Sequence, residues 1–355
     1  MNGARKMVSY KLTQFGAPLS QTIESPPAPT GTQVLLRVAA CGVCHSDVHV
    51  AEGFFDLGRG RKIDVSATVE LPRILGHEIV GVVEEVGPDA AGVAVGDRRA
   101  VYAWCGCGNC AACRRGEENL CARPRNLGLG RDGGFSSYLL VEHPRYLLEY
   151  DPLPAPFAAT LGCSGLTAFN AVKRAAPVDA ENPLLIIGAG GLGLAAVALT
   201  RALYGASPVV VADVDPIKRQ AALAAGAAAA VDPADAGNRE RFVKQMGGFS
   251  AAIDFVGAEA SSSFGLGMLR KGGRLFVVGL YGGSLEISLP TLPLRTIAIV
   301  GVFTGSLPEF RELMALARAG KVKAPPIETR PLAEAQRALD DLKAGRIRGR
   351  AVLTP

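Results

Sequence analysis

Between residues 184 and 213 the chain runs Leu-Leu-Ile-Ile, then Gly188-Ala-Gly190-Gly191-Leu-Gly193, then an apolar stretch, then Val-Val-Val-Ala and Asp213. A four-residue strand, a glycine turn and a helix in that order restrict the fold more than any other segment. The G-x-G-x-x-G spacing is a weak sign among 43 glycines, but here it follows a strand, opens a helix and precedes an acidic residue 20 positions beyond Gly193, which is the context the dinucleotide fingerprint requires. The glycines let a pyrophosphate approach the helix N-terminus, where amide donors and the helix dipole favour an anion. Asp213 would accept hydrogen bonds from the adenosine ribose and repel a 2′-phosphate, so the cofactor reads as NAD rather than NADP.

Strand–helix alternation continues around this module. Strands are expected at 184–187, 209–212, 251–256 and 274–279, with helices at 192–203 and, from its alanine content, 216–229; the tract 221–230 reads as helix composition. Alternation of this kind predicts a doubly wound parallel sheet, an α/β fold. The first 150 or so residues instead read as β-rich, with short β-branched runs at 33–39 and 78–86. Residues 53–70 mix Gly, Arg and Lys without period and read as a surface loop, while two amphipathic helices (about 307–319 and 332–344) lead to a final strand ending at Leu353.

Composition excludes several classes. At 355 residues, 48% hydrophobic and 20% charged, the chain suits two packed domains and not a disordered tail. A net charge of +5 without a dense Lys/Arg run, and 6% aromatics, argue against nucleic acid as a partner. The uncharged stretch 184–200 holds four glycines in six positions and falls short of a membrane span, so no membrane partner is expected. The N-terminal stretch has no apolar signal-peptide region. With eight cysteines, five of them between 105 and 121, thiolate metal binding in a reducing cytoplasm is the better reading than a disulfide knot.

Cys107-x2-Cys110-x2-Cys113-x7-Cys121 is a compact four-thiolate set in a lobe too poor in apolar residues to bury its own core. One tetrahedral zinc would order it, with Cys105 left over. A second, dispersed set comprises Cys41, Cys44, His45, His49, His77 and Cys163. Three of these would leave open the fourth position that a catalytic zinc needs, but spacing alone does not choose the three.

Taken in order, CGVCHSDVH, GHE, the four-cysteine lobe, LGCSGLTAF, GAGGLG and the ending GRAVL resemble the zinc-containing alcohol dehydrogenases of the medium-chain dehydrogenase/reductase superfamily, over essentially the whole chain. The resemblance implies a GroES-like catalytic domain (1–164 and 304–355) and a Rossmann NAD-binding domain (165–303), with NAD and two zinc ions per subunit. It implies Cys44, His77 and Cys163 as ligands of a catalytic zinc and Cys107, Cys110, Cys113 and Cys121 as ligands of a structural one. Glu78 would be the acidic residue that approaches the zinc during ligand exchange, and Asp47 the carboxylate that orients His77. Ser46 and His49 match the proton relay: Ser46 takes the alcohol proton and passes it by way of the cofactor ribose to His49. Cofactor contacts would come from His45 and Arg350 near the pyrophosphate, Thr167 near the nicotinamide, Leu192 within the glycine turn, Lys218 beside the ribose, and Val256, Val278 and Val302 on strand ends.

Two departures from the family bear on use. The segment 53–70 is longer than usual and lies beside the expected substrate mouth. The short stretch from Cys121 to Cys163 resembles tetrameric microbial members, specifically NAD-dependent ones, and implies a homotetramer. Tyr102, Trp104 and Phe54 are expected as walls of the pocket, with Phe55 and Leu280 as further candidates. An aromatic wall would favour a primary over a bulky secondary alcohol, though aromatic and secondary alcohols also fall within the expected class. The expected reaction is reversible hydride transfer from an alcohol to NAD+, giving an aldehyde or ketone. Two other readings stand beside it: a polyol or other hydroxy-compound dehydrogenase of the same superfamily, and a catalytically silent NAD-sensing zinc protein.

Overall fold

The computed structural model describes residues 5–355 apart from 236, 238, 239, 243, 245 and 246. Residues 1–4, part of the stretch read for a signal peptide, lie outside the described residues. Among those described, the strands form four sheets.

One sheet is wholly parallel, in the order Ala229–Val231, Val209–Ala212, Leu184–Ile187, Phe249–Asp254, Leu269–Val277 and Ala298–Gly301. Two adjacent inner strands, Leu184–Ile187 and Val209–Ala212, are buried at every position. Helices on both faces require this, which is why these strands read as unbroken apolar runs. The glycine-turn helix spans Gly191–Tyr204, so the uncharged run 184–200 divides into strand, turn and helix. Among the described residues no helix is long and apolar enough to cross a membrane.

The alanine tract departs from the sequence expectation. The helix covers only Pro216–Ala225 and stops at Gly226, whose φ of 107° takes the left-handed conformation that favours glycine. Ala229–Val231 then runs as an edge strand beside Val209–Ala212. Alanine supplies little side-chain signal for either state, and Gly226 decides the boundary.

The second large sheet is mixed and built from both ends of the chain. Leu147–Glu149, Arg98–Val101, Glu78–Val86, Val34–Gly42, Arg350–Thr354 and Ile327–Pro331 are neighbours in that order, and Tyr138–Val141 also pairs with Val34–Gly42. Its register positions the site. Gly42 lies opposite Glu78, and Val352 opposite Gly42, so the segments Cys41–Cys44, His77–Glu78 and Arg350 converge at one end of three adjacent strands. A Cβ on Gly42 would collide with the Glu78 carboxylate.

Residues 53–70 are not a plain loop. Phe54–Gly58 and Arg61–Asp64 form an antiparallel hairpin whose turn places Gly58, Arg59 and Gly60 at positive φ. Phe54–Gly58 opens on two consecutive Phe residues and Arg61–Asp64 carries three charges, so neither strand shows the alternation that would have disclosed it. The hairpin reaches the segment after Leu269–Val277: a Cβ on Gly58 would sit 2.5 Å from the Gly283 carbonyl carbon, and Arg59 pairs with Glu286 at 2.9 Å.

Candidate active site

Helix His45–Glu52 follows directly on Cys44. Asp47 accepts from the Cys44 amide through Oδ2 (2.9 Å) and from the Gly76 amide through Oδ1 (3.1 Å). The same Oδ1 lies 3.1 Å from His77 Nδ1. One buried carboxylate thereby caps the helix, fixes the chain before His77 and turns the imidazole so that Nε2 points away. That Nε2 is buried and has no hydrogen-bond partner.

Cys163 comes to the same place by a different route. Residues Leu161–Gly165 form a single π-helical turn between the helices Ala155–Thr160 and Leu166–Ala175, a distortion frequent at functional sites. The turn is pinned by the Trp104 indole donating to the Gly162 carbonyl (3.1 Å) and by the Ser164 amide donating to Glu78 Oε1 (3.0 Å). The ligand atoms of Cys44, His77 and Cys163 lie within 4.8 Å of one another, all buried. Two thiols and an unpartnered imidazole nitrogen are a donor set that fits zinc with one position left open. The closeness of the Cys163 thiol, and after it of His77, holds the Cys44 thiol well below its ordinary pKa, toward the thiolate a metal requires.

Glu78 faces this set from behind. Its second oxygen pairs with Arg350 at 2.6 Å, and both side chains are buried. Burial pushes the Glu78 carboxyl up, against the pull of Arg350. Arg350 also lies against Gly191, where a Cβ would collide with its Cδ. This one guanidinium therefore links the three-ligand cluster to the opening of the glycine-turn helix.

At that turn, Gly188 has φ 91° and the helix is preceded by Gly190. A Cβ on Gly193 would run into the Gly188 carbonyl oxygen, whereas the space a Cβ on Gly190 would enter holds no protein atom within 4 Å. Asp213 accepts from the Ala189 amide at 2.7 Å and from the Asp215 amide at 2.9 Å, which sets its carboxylate at the edge of the turn. Val256, Val278 and Val302 follow the C-terminal ends of three neighbouring strands, where ligands of open parallel sheets bind. Thr167 is buried just after the π turn, Leu192 and Lys218 are partly covered, and His45 is exposed. The sequence reading passed over Arg219, whose guanidinium donates to the Asp213 carbonyl (2.7 Å) and reaches Asp232 (3.2 Å). It lies nearer Asp213 along the helix face than composition alone disclosed.

The four-cysteine lobe forms as a second cluster, Cys107, Cys110, Cys113 and Cys121, again with ligand atoms within 4.8 Å of one another. Cys110 Sγ is 3.5 Å from Cys113 Sγ and 3.8 Å from Cys121 Sγ. Amides of Cys107 and Arg123 donate to Cys121 Sγ at 3.3 Å, and amides of Asn109 and Cys110 help to draw the Cys107 thiol down to about 6. Four sulfurs gathered without disulfides fit a closed tetrahedral zinc. Cys105 and Cys41 are buried, with thiols pushed up by burial, as packed side chains are.

Comparison with known proteins places this geometry. Residues 30–152 match the alcohol dehydrogenase GroES-like domain, and residues 191–319 match the zinc-binding dehydrogenase domain. An NAD-dependent alcohol dehydrogenase of Sulfurisphaera tokodaii is 40% identical over 355 residues, covering 98% of this chain and all of the relative. The chain belongs to the zinc-containing alcohol dehydrogenase family. The alcohol dehydrogenase of Aeropyrum pernix superposes on it with a TM-score of 0.87 at 31% identity, over 98% of this chain and all of that one. The D-arabinose dehydrogenase of Sulfolobus solfataricus does so with a TM-score of 0.84 at 29% identity, over 99% of this chain and all of that one. As a member of this family the chain is an oxidoreductase that uses NAD and zinc.

Within this alcohol dehydrogenase the expected pocket walls separate. Trp104 lies 5.2 Å from the His77 ring, beside the ligand cluster. Tyr102 is core instead: it is fully buried, its hydroxyl donates to the Gly305 carbonyl (2.9 Å), and its ring packs on Tyr146 and Phe310. The two residues are two apart, but the strand Arg98–Val101 has ended before them, so strand parity no longer aligns their side chains. Phe54 is half-buried. Its ring carries the Lys62 ammonium at 3.6 Å, whereas the adjacent Phe55 packs on His49 at 5.0 Å. Leu280 is exposed. Ser46 and His49, three residues apart on the helix, share a face.

Proposed function

We propose that this enzyme catalyses reversible NAD-linked oxidation of small primary alcohols, aromatic ones included, at the Cys44–His77–Cys163 cluster. The observation that carries the reading is the buried His77 Nε2, without a hydrogen-bond partner among the described residues and facing two thiols, an arrangement that a metal ion would complete. Bound there, zinc supplies the Lewis acidity that lowers the pKa of an alcohol hydroxyl, and NAD+ supplies the hydride acceptor.

The chain's own residues do the rest. Cys44, His77 and Cys163 hold the metal and leave one position for the hydroxyl. Asp47 fixes the His77 ring. Ser46 Oγ would accept the hydroxyl proton while giving up its own toward the cofactor ribose, and His49, on the same face and 15% exposed, would take the proton from there and release it to solvent. Burial lowers the His49 pKa, so its ring is a neutral acceptor near neutral pH. Asp213 orients the ribose, the amides after Gly190 and the Arg350 guanidinium hold the pyrophosphate, and Thr167, Val256, Val278 and Val302 close around the nicotinamide. Glu78, tied to Arg350, is the carboxylate available during ligand exchange. Cys107, Cys110, Cys113 and Cys121 hold the second zinc. Residues 1–164 with 304–355 form the catalytic domain and 165–303 the cofactor domain. The assembly is a homotetramer in the cytoplasm, a reading supported by the short Cys121–Cys163 stretch and the unpaired thiols.

Trp104 beside the cluster supports the preference for primary alcohols. Turnover of a straight-chain primary alcohol is expected to exceed that of its 2-hydroxy isomer. Faster oxidation of the secondary isomer, followed by NADH absorbance, would overturn that preference. Likeness to a D-arabinose dehydrogenase favours a second reading, a sugar or polyol substrate, which the same absorbance assay separates once a sugar and a polyol are added to it.

A further inference from the structure

We propose that Asn119, carried on the four-cysteine lobe, is a positioning residue for the wall of the alcohol cavity, setting through Phe303 and Trp104 how bulky an alcohol the site accepts. The inference rests on the alcohol dehydrogenase reading of the site and concerns which residues outside the reacting centre tune it.

Residues 301–305 connect the edge strand Ala298–Gly301 to the helix Leu307–Arg318. Four side chains from three parts of the chain bind its carbonyls, Asn170 and Arg174 sharing the helix Leu166–Ala175. Arg174 donates to Gly301 (3.1 Å), Asn119 to Phe303 (3.1 Å), Asn170 to Thr304 (2.5 Å) and Tyr102 to Gly305 (2.9 Å). Within the segment Thr304 is held at φ 43°, and its buried hydroxyl has no partner. A non-glycine residue remains in that conformation only when its surroundings impose it.

What the clamped segment presents is Phe303. Its ring meets Trp104 edge-on at 5.4 Å, and Trp104 meets the ligand His77 at 5.2 Å. The three rings form a file leading outward from the metal cluster. Trp104 is 3% exposed but Phe303 is 49% exposed. A large apolar ring fixed at the open end of that file is suited to contact the chain of a bound alcohol.

Of the four donors only Asn119 belongs to the lobe. It sits in the helical turn Glu118–Leu120, two residues before Cys121. Its neighbour Glu118 is buried and accepts from the Gly106 amide (2.9 Å) and the Tyr146 hydroxyl (2.7 Å), so the turn is anchored on both sides. The lobe also bears on the first turn of the helix that follows the segment, where a Cβ on Gly116 would lie 3.5 Å from Pro308. The Oδ1 atom of Asn119 is buried without a partner, leaving donation to Phe303 as the contact that fixes this amide. Order in the four-cysteine lobe therefore reaches the alcohol wall through one hydrogen bond.

The chain has a single tryptophan, so fluorescence excited selectively at the indole, beyond the tyrosine absorption, reports Trp104 alone. In the zinc-loaded protein, Asn119→Ala and Phe303→Ala should each raise acrylamide quenching of Trp104, and the double variant should show no further rise. Each should shift the ratio of kcat/KM for a branched against a short alcohol by about tenfold, mainly through KM, with no added effect when combined. Asn119→Gln, which keeps the amide donor, should recover most of the wild-type ratio. If Asn119→Ala leaves quenching unchanged, or slows both alcohols equally and adds to Phe303→Ala, the residue merely stabilises the lobe and the proposal fails. A wild-type protein that oxidises no alcohol would instead overturn the enzymatic reading, which the quenching measurements do not depend on.

Discussion

Asp47 shows how much a single residue can carry here. Its two oxygens serve the Cys44 amide, the Gly76 amide and His77 Nδ1, so the metal cluster depends on one buried carboxylate. The sequence disclosed its position only through family resemblance, because an Asp at the third position of a helix is ordinarily a cap. His49 offers a test at this scale. Burial lowers its pKa from the usual ~6.5, outweighing Glu52 and Cys44, which raise it. Between the lowered value and ~6.5 the unfolded chain binds a proton that the folded chain does not, so its contribution to stability grows as pH rises through that window. The neutral acceptor likewise persists below pH ~6.5, and kcat should fall only beneath that. His49→Gln should slow turnover by up to about 10²-fold at neutral pH, and small imidazole buffers should restore part of it. An unchanged pH profile in the variant would remove His49 from proton transfer.

Among the elements, legibility followed the strength of the local pattern. Leu184–Ile187, Val209–Ala212 and Glu78–Val86 were readable to the residue, because apolar or β-branched runs ended at turns. The hairpin 54–64 was not readable, since its charged second strand and three successive positive-φ residues look like loop chemistry. Phe303 and Asn119 escaped notice for a different reason: a half-exposed Phe and a lobe Asn carry no signal until folding brings them together. The hairpin also supplies a prediction. Its exposed Arg59–Glu286 pair contributes roughly 0–1 kcal/mol, whereas a Cβ on Gly58 meets backbone at Gly283 and requires positive φ. Gly58→Ala should therefore expose the hairpin to trypsin at Arg59 and Arg61 faster than Glu286→Ala does. Equal cleavage rates would mean that the ion pair, not the close backbone approach, holds the hairpin.

Across the whole molecule, the site exists because two sheets place their ends together. The mixed sheet aligns Cys44, His77 and Arg350 through strand register, and the parallel sheet sets the glycine turn against Arg350. Composition and motifs anticipated both sheets, but not the Glu78–Arg350 pair that ties the ligand cluster to the glycine-turn helix, because a buried ion pair between residues 272 apart has no local signature. The central claim is that metal held by Cys44, His77 and Cys163 is required for NAD-linked alcohol oxidation. The direct measurement is NADH absorbance with NAD+ and a panel of primary, secondary, aromatic and polyol alcohols, before and after chelation and after zinc is restored. Activity on primary or aromatic alcohols that is lost with the chelator and returns with zinc is the predicted result. Oxidation that survives complete removal of the metal, or silence across the panel with zinc present and NAD bound, would contradict it.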